Sequence, residues 1–158
     1  MEEEPGLGAI RVKDIMVTDV HAVGVGTSVK ETAAIMAREG HGCVIVVDRG
    51  IAVGIVTERD IVRKVTGEGV DPSRVRVQDI MSTPLITVSP SATVLEAAEM
   101  MSEYEVRKTV VVDDEGRLVG LLAAGDIARW LAQQKNYEDA ALNAIARLKT
   151  SSTGGPYR

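Results

Sequence analysis

The chain has 158 residues, of which 45% are apolar and 26% charged, and its net charge is −5. This length suits one compact domain or two small ones that share a core. The negative charge gives no general attraction to nucleic-acid backbones or anionic membranes, so neither is an expected partner. With Cys43 as its single cysteine, the chain can form no internal disulfide, which favours a reducing compartment.

The apolar content is mainly aliphatic, since the sequence contains no phenylalanine, one tryptophan and three tyrosines. No apolar run approaches the ~18 residues that a membrane-spanning helix needs. The opening residues, MEEEPG, do not resemble the basic start of a signal peptide. A cytoplasmic protein is therefore expected.

Short motifs recur along the chain at a nearly constant spacing. The sequence DIM at 14–16 returns at 79–81, which is 65 residues later. The phrase GIVTERD at 54–60 returns as GLLAAGD at 120–126, displaced by 66 residues because the second copy has a longer turn. A unit of about 60 residues is therefore repeated in tandem.

Each copy predicts a turn, a short strand, a helix, a strand, a hairpin, a strand and a helix, in that order. In the first copy Ser28 is a candidate N-cap. The helix that follows it has an apolar face that includes Val29, Ala33 and Met36. The next run, CVIVV at 43–47, is β-branched and indicates a buried strand.

The second copy repeats these signals with small changes. Thr93 is a candidate N-cap, and Glu96 three residues later completes a capping box. The run TVVV at 109–112 predicts the matching strand. Residues 48–50 in the first copy and 113–116 in the second have the composition of hairpin turns.

The expected organisation is a disordered tail, a first domain, a linker, a second domain, a helix and a second disordered tail. Their ranges are 1–9, 10–67, 68–76, 77–134, 135–150 and 151–158. The linker is predicted from its polar, Gly- and Pro-containing composition. The late helix is predicted from an apolar stripe at Ala141, Ile145 and Leu148.

A tandem β-α-β-β-α unit with DIM at its start and G-h-h-T-x-x-D at its end (h, apolar) resembles the cystathionine-β-synthase (CBS) domain pair. The likeness extends from about Val12 to Leu131. It implies an α/β fold in which two tandem CBS-type units pack with pseudo-twofold symmetry through their sheets. In that family two clefts bind adenosine derivatives, and the pairs commonly dimerise and regulate other proteins instead of catalysing a reaction.

The aspartate of the repeated phrase is the main candidate for ribose binding. Thr57 and Asp60 stand in the first copy, whereas the second has Ala123 and Asp126. Threonine followed three residues later by an acid also fits a capping box, so helix capping is the alternative role. Capping explains Thr57 but leaves Asp126 without a partner hydroxyl. A carboxylate that accepts hydrogen bonds from both ribose hydroxyls explains both aspartates.

Phosphate recognition requires local hydrogen-bond donors. Arg107 and Lys108 stand at the entry to the second Val-rich strand, where the first copy has Gly42 and Cys43. The resemblance implies that the basic pair contacts phosphates in the cleft whose threonine and aspartate come from the other unit. A solvated strand end is the alternative role for these side chains.

The resemblance also implies which residues line the adenine, although ordinary core packing is the alternative for each of them. The expected main cleft consists of Thr57, Asp60, Met81, Ile86, Val106, Arg107 and Lys108. The expected weaker cleft consists of Asp126, Met16, His21 and His41. His41 is the remaining cation candidate of that second cleft, which lacks both the hydroxyl and the basic pair.

The expected function is a regulatory module that binds AMP, ADP or ATP and signals to an unidentified partner protein. A module that binds S-adenosylmethionine and a scaffold without a ligand are the alternatives. An enzyme is not expected, because no Ser-His-Asp or Cys-His set and no Gly-rich phosphate loop is evident. No cofactor is expected to be required, and an adenine nucleotide is the expected ligand. A metal site formed by His21, His41 and Cys43 is disfavoured, because these sparse ligands match no motif.

A homodimer is expected from the helices, which carry more apolar residues than one sheet face can cover. These residues are Met36, Met100, Met101, Ile127 and Leu131.

Overall fold

The structure is a computed structural model that describes residues 6–134 and 146–147. The first five residues of the expected N-terminal tail lie outside the described part. So do the tail expected at 151–158 and nearly all of the helix expected at 135–150.

The helices are α1 (Val12–Ile15), α2 (Val29–Glu39), α3 (Glu58–Ile61), α4 (Val77–Ile80), α5 (Val94–Glu103) and α6 (Ala124–Gln134). The strands are β1 (Ala22–Gly24), β2 (Cys43–Asp48), β3 (Ile51–Thr57), β4 (Thr87–Val88), β5 (Lys108–Val112) and β6 (Leu118–Ala123). A π-helical turn, Val62–Thr66, continues α3, and a 3₁₀ turn, Pro72–Arg74, precedes α4.

The strands form two three-stranded sheets with the same topology, β1-β2-β3 and β4-β5-β6. In each sheet the first strand runs parallel to the middle one, and the third strand pairs antiparallel with it through a hairpin. Helices α2 and α5 make the crossovers that the parallel pairs require. The predicted α/β class and the predicted order of elements are therefore confirmed.

The chain divides into two compact units, which do not coincide with the two copies of the repeat. Among the described residues, the central unit is Asp19–Leu85, and the composite unit joins those up to Thr18 to those from Ile86 onward. Each unit therefore receives its DIM motif from the other copy of the repeat.

The predicted helix caps are confirmed. The Ser28 side chain accepts from the Glu31 amide at 3.1 Å. Thr93 and Glu96 form the expected capping box, with both hydrogen bonds present. The apolar face of α2 differs slightly from expectation, because Thr32 is buried and Ala33 only half-buried. The Thr32 hydroxyl can be buried because it donates to the Ser28 carbonyl at 2.9 Å.

Each unit has its own aliphatic core. In the central unit, Val44 and Val46 of β2 pack with residues of α2, β3 and α4. In the composite unit, Val111 of β5 packs with Val12 of α1 and with residues of α5 and α6. These clusters use the Val-rich strands as the sequence predicts.

Two segments that the sequence describes as tail or linker are packed. Leu7 lies against the core of the composite unit, and its carbonyl accepts from the Leu95 amide at 3.1 Å. Val75, between the 3₁₀ turn and α4, packs on the core of the central unit and accepts from the Val29 amide at 2.8 Å. In each segment one apolar side chain packs on the core. The prediction misses it because it is based on the polar average composition of the segment.

Three of the five apolar residues that predict a dimer are buried within their own units. Met36 is buried in the core of the central unit, and Met101 and Ile127 are buried in that of the composite unit. Met100 and Leu131 pack partly against the same composite core. Of the five side chains that motivate the homodimer, Met100 and Leu131 therefore remain half-exposed, and the homodimer stays a prediction.

A contact between the repeated methionine and the repeated glycine explains both motifs in the central unit. After α4, Ser82 exchanges backbone hydrogen bonds of 2.8 and 3.3 Å with Ile55 of β3. Met81 thereby lies across Gly54, where an added Cβ would stand 2.8 Å from the Met81 Cγ. The glycine provides the space that the methionine side chain fills.

The composite unit repeats this contact. Val17, which follows α1, exchanges two backbone hydrogen bonds of 2.9 Å with Leu121 of β6. A Cβ added at Gly120 would lie 2.8 Å from the Met16 Sδ and 2.9 Å from the Val17 carbonyl oxygen. Here a backbone atom, and not only a flexible side chain, limits the space.

Replacing either glycine by alanine is expected to destabilise the protein by overpacking, at a cost of about 1–3 kcal/mol. Gly120→Ala should cost more than Gly54→Ala, because the Val17 carbonyl cannot move aside as a methionine side chain can. Urea unfolding of both variants measures this. Gly26→Ala is the control, since an added Cβ there meets no atom within 4 Å. Equal stability of all three variants would contradict the packing explanation.

Candidate functional site

The junction between β3 and α3 places Thr57 and Asp60 together. The Thr57 Oγ1 accepts from the Asp60 amide at 3.2 Å. In return, Asp60 Oδ2 accepts from the Thr57 amide at 2.9 Å and from the Thr57 hydroxyl at 3.1 Å. This is a complete capping box, so these two residues have the helix-capping role that was the alternative to ribose binding.

The other carboxylate oxygen of Asp60 has a cationic partner. Lys64, in the π-helical turn, places its Nζ 3.1 Å from Asp60 Oδ1. The same ammonium donates to the Ile80 carbonyl at the end of α4, at 2.7 Å. Lys64 thus connects the aspartate to the segment that leads into Met81, and it compensates the burial of a carboxylate that is only 10% exposed.

Asp126 occupies the matching position at the start of α6, and its contacts correct the expectation from sequence. Its Oδ2 accepts from the Ala123 amide at 2.8 Å, which is the half of a capping box that needs no hydroxyl. Its Oδ1 accepts from Arg129 Nη2 at 2.6 Å. Capping therefore accounts for Asp126 as well, because the carboxylate caps a backbone amide whether or not residue 123 is threonine.

The cationic partners of both aspartates are absent from the residues that the sequence predicts for the site. Lys64 follows Asp60 by four residues and Arg129 follows Asp126 by three, which are the spacings at which side chains meet on a helix. This spacing is a signal that could have identified both cations. The repeat does not point to them, because the two cations do not occupy matching positions in the two copies.

Each junction keeps hydrogen-bond acceptors that a ligand could use. A carboxylate offers about four acceptor positions and a hydroxyl about two. Three positions on Asp60 are filled, which leaves one on Oδ1, and a second acceptor remains on the Thr57 hydroxyl. Asp126 keeps one open position on each oxygen. Each junction can therefore accept two further hydrogen bonds. In the first they are divided between Asp60 and Thr57, and in the second both go to Asp126.

The expected base-lining residues lie close to their local sheet. Met81 and Met16 cross Gly54 and Gly120, as described above. Ile86 accepts from the Val110 amide at 2.9 Å, and Val106 packs partly on the core of the composite unit. Core packing, the alternative for each of these residues, thus describes Met16, Met81 and Val106.

The basic pair lies at the start of β5, beside the start of α6. Arg107 is exposed, and its carbonyl accepts from the Ala124 amide at 2.9 Å. Lys108 is half-buried and pairs with Ala123 across the sheet. Within the described residues neither side chain forms an ion pair or a hydrogen bond, so both cations are available to an anion.

The two histidines lie together in the central unit. The ring centroids of His21 and His41 are 5.4 Å apart in an edge-to-face arrangement. The His21 Nε2 lies 3.7 Å from Glu39, and the His41 Nε2 lies 3.9 Å from Asp19. A hydrogen bond from Arg38 is the main reason that the pKa of Glu39 lies below its ordinary value. Both histidines therefore face carboxylates, which compete with an anionic ligand for their ring nitrogens.

The expected site residues are distributed over both units. The central unit holds Thr57, Asp60, Met81, His21 and His41, whereas the composite unit holds Met16, Ile86, Val106, Arg107, Lys108 and Asp126. The contacts of Asp60 therefore lie within the central unit and those of Asp126 within the composite unit.

Residues 6–134 and 146–147 show neither a metal cluster nor a helix suited to a membrane. Across this part of the chain, no three His, Cys, Asp or Glu side chains are placed to hold a metal ion. None of its helices combines the length and apolarity that crossing a bilayer requires.

The sequence pattern of the CBS domain matches the chain twice, at residues 12–67 and 77–133. The chain therefore belongs to the CBS domain family and carries two CBS domains in tandem. Among curated proteins it is similar to the CBS domain-containing protein YhcV of Bacillus subtilis. The two are 34% identical over 117 residues, which is 74% of this chain and 82% of that protein.

Solved structures show the same fold. The CBS domain protein PAE2072 from Pyrobaculum aerophilum, complexed with AMP, has a TM-score of 0.68 and 28% identity, covering 87% of this chain and 99% of that one. The CBS domain pair of protein MJ0100, complexed with 5′-methylthioadenosine and S-adenosyl-L-methionine, has a TM-score of 0.69 and 29% identity. That match covers 78% of this chain and 96% of the other.

The difference between the two junctions gives a stability prediction. Thr57→Ala removes the side chain that caps the Asp60 amide, so it should cost about 1 kcal/mol. Ala123→Thr supplies the missing cap to the Asp126 amide and should stabilise by a similar amount. Chemical denaturation of the two variants against the parent protein tests both signs. A loss of stability in Ala123→Thr would show that the second junction has no room for the hydroxyl.

Proposed function

We propose that the protein is a regulatory module that binds an adenine nucleotide, AMP, ADP or ATP, and signals the bound state to a partner protein. The observation that carries the proposal is the Thr57–Asp60 junction. There a nearly buried carboxylate and a hydroxyl retain one open acceptor each, which suits the two hydroxyl donors of a ribose. PAE2072, which has the same fold, is complexed with AMP, and this supports the proposal.

In this proposal Thr57 and Asp60 bind the ribose, and Arg107 and Lys108 bind the phosphates. The unpaired state of the two cations within the described residues supports their role, because a nucleotide phosphate needs charged donors that no internal carboxylate has neutralised. Met81, Ile86 and Val106 are the proposed base contacts. Asp126, Met16, His21 and His41 belong to a proposed second, weaker site.

A module that binds S-adenosylmethionine is the second candidate. MJ0100 is complexed with this compound and with 5′-methylthioadenosine, neither of which carries a phosphate. Such ligands would use the ribose-binding junction but not the basic pair. The proposed module acts in the cytoplasm, forms a homodimer and catalyses no reaction.

A ligand panel decides whether the protein is a nucleotide module or a scaffold without a ligand. A ligand that binds only the folded state adds about 2.7 kcal/mol of stability at 100 times its Kd. AMP, ADP, ATP, adenosine and S-adenosylmethionine are compared by thermal unfolding, with guanosine monophosphate as the control. A raised Tm with an adenine compound but not with the control is expected. No shift with any adenine compound would favour the scaffold.

Substitutions in the proposed site should separate ribose recognition from phosphate recognition. Asp60→Ala is expected to weaken every adenosine derivative at least tenfold, since hydrogen bonds to charged groups are worth about 1.5–3 kcal/mol. Arg107→Ala should weaken AMP more than adenosine, because only AMP carries a phosphate. Calorimetric titration measures both effects.

Two further carboxylate variants complete this comparison. Asp126→Ala should leave the tight binding step nearly unchanged, and Asp114→Ala, at an exposed turn residue, controls for the change in charge. If Asp126→Ala abolishes tight binding while Asp60→Ala preserves it, the two sites have been ranked in the wrong order.

A further inference from the structure

The ammonium of Lys64 has an unused donor beside Asp60. An ammonium group has three N–H donors. Two are accounted for by Asp60 Oδ1, at 3.1 Å, and by the Ile80 carbonyl, at 2.7 Å. The side chain is 45% exposed, so the third donor can reach a molecule that arrives from solvent.

The open acceptor of Asp60 lies on the same oxygen that Lys64 contacts. Oδ2 already accepts two hydrogen bonds from Thr57, and the remaining position of the carboxylate is on Oδ1. The unused donor is on Lys64 Nζ and the unused acceptor is on Asp60 Oδ1, and these two atoms are 3.1 Å apart. A hydroxyl group fits such a pair, because it can donate one hydrogen bond and accept another at once.

The backbone around Lys64 is unusual for a helix. The Gly67 amide donates to the Val62 carbonyl at 2.7 Å, five residues earlier, so this turn is wider than an α-helical turn. Such π-helical turns are rare and frequently occur at functional sites. Here the turn carries the lysine whose ammonium contacts both Asp60 and the segment that leads to Met81.

The composite unit has no equivalent arrangement at Asp126. The repeat places Trp130 at the position of Lys64, and the cation comes instead from Arg129 on the regular helix α6. Arg129 is only 22% exposed and is held at 2.6 Å from the carboxylate. Asp60 is thus the member of the repeated pair whose cationic partner has the more exposed side chain, at 45% against 22%.

We propose that Lys64 is a ribose-recognition residue, whose ammonium donates to the same ligand hydroxyl that donates to Asp60. The inference rests on the proposed function and deepens it. Lys64 and Asp60 together distinguish a ribonucleoside from the deoxynucleoside that lacks this hydroxyl. The contact is with the sugar and not with a phosphate, so it is made equally to adenosine and to AMP.

The test is calorimetric titration of the full chain with adenosine, AMP, 2′-deoxyadenosine and 3′-deoxyadenosine. The parent protein should bind adenosine more tightly than at least one deoxy analogue. Lys64→Met should weaken adenosine and AMP by the same factor, about tenfold or more, while the affinity for that deoxy analogue changes less than about twofold. Lys64→Arg should restore part of the discrimination, because it keeps a cationic donor.

Arg63→Met is the matched control. Arg63 is the exposed neighbour of Lys64 and forms no ion pair or side-chain hydrogen bond within the described part of the chain. This variant makes the same change in charge and should bind all four ligands as the parent does. Thermal unfolding of each variant confirms that it is folded before titration.

Three results would overturn the inference. Unchanged discrimination in Lys64→Met would show that the lysine does not contact the ligand. Equal losses for adenosine and both deoxy analogues would show that it acts only through the fold. A loss for AMP without a loss for adenosine would make it a phosphate ligand. If the parent protein binds no adenosine derivative, the proposed function itself fails, and this result is distinct from the other three.

Discussion

In each unit a methionine packs across a glycine and so joins a segment of one repeat copy to a strand of the other. Met81 can lie on β3 and Met16 on β6 because Gly54 and Gly120 have no side chains there. This contact fixes the segments that follow α4 and α1 along their strands, and backbone hydrogen bonds then secure them. Each strand so covered leads within three residues to the junction that carries the repeated aspartate. Both strands that end at such a junction are therefore covered by a side chain from the other copy of the repeat.

Capping and ligand binding are compatible roles for the same aspartate. A capping box uses only part of the hydrogen-bond capacity of a carboxylate, and the remainder faces whatever approaches the start of the helix. Capping also fixes the carboxylate in one orientation, which reduces the entropy that a ligand must overcome on binding. The contacts that cap helix α3 thus also orient the carboxylate of the proposed site. This explains how Asp60 and Asp126 can share a position although their neighbours differ.

Much of the fold could be predicted from the sequence, because its signals are local. The valine runs of β2 and β5 and the caps at Ser28 and Thr93 depend on residues close in the chain. The assignment of segments to units could not be predicted, since it depends on contacts between residues far apart in the chain, such as Met16 and Gly120. For the site, the repeat reveals the threonine and the two aspartates. It does not reveal Lys64, because the second copy has Trp130 at the matching position and takes its cation from Arg129.

The division into a central and a composite unit also bears on biosynthesis. A nascent chain leaves the ribosome N-terminus first, and domains generally fold as units once their residues have emerged. The residues of the central unit are contiguous from Asp19, so that stretch is complete when Leu85 has emerged. Helix α1 emerges before the central unit, yet the apolar surface of Val12 is covered only when the strands and helices beyond Ile86 have been synthesised. Helix α1 is therefore synthesised before the central unit but is covered after it, and the contiguous unit has the earlier opportunity to fold.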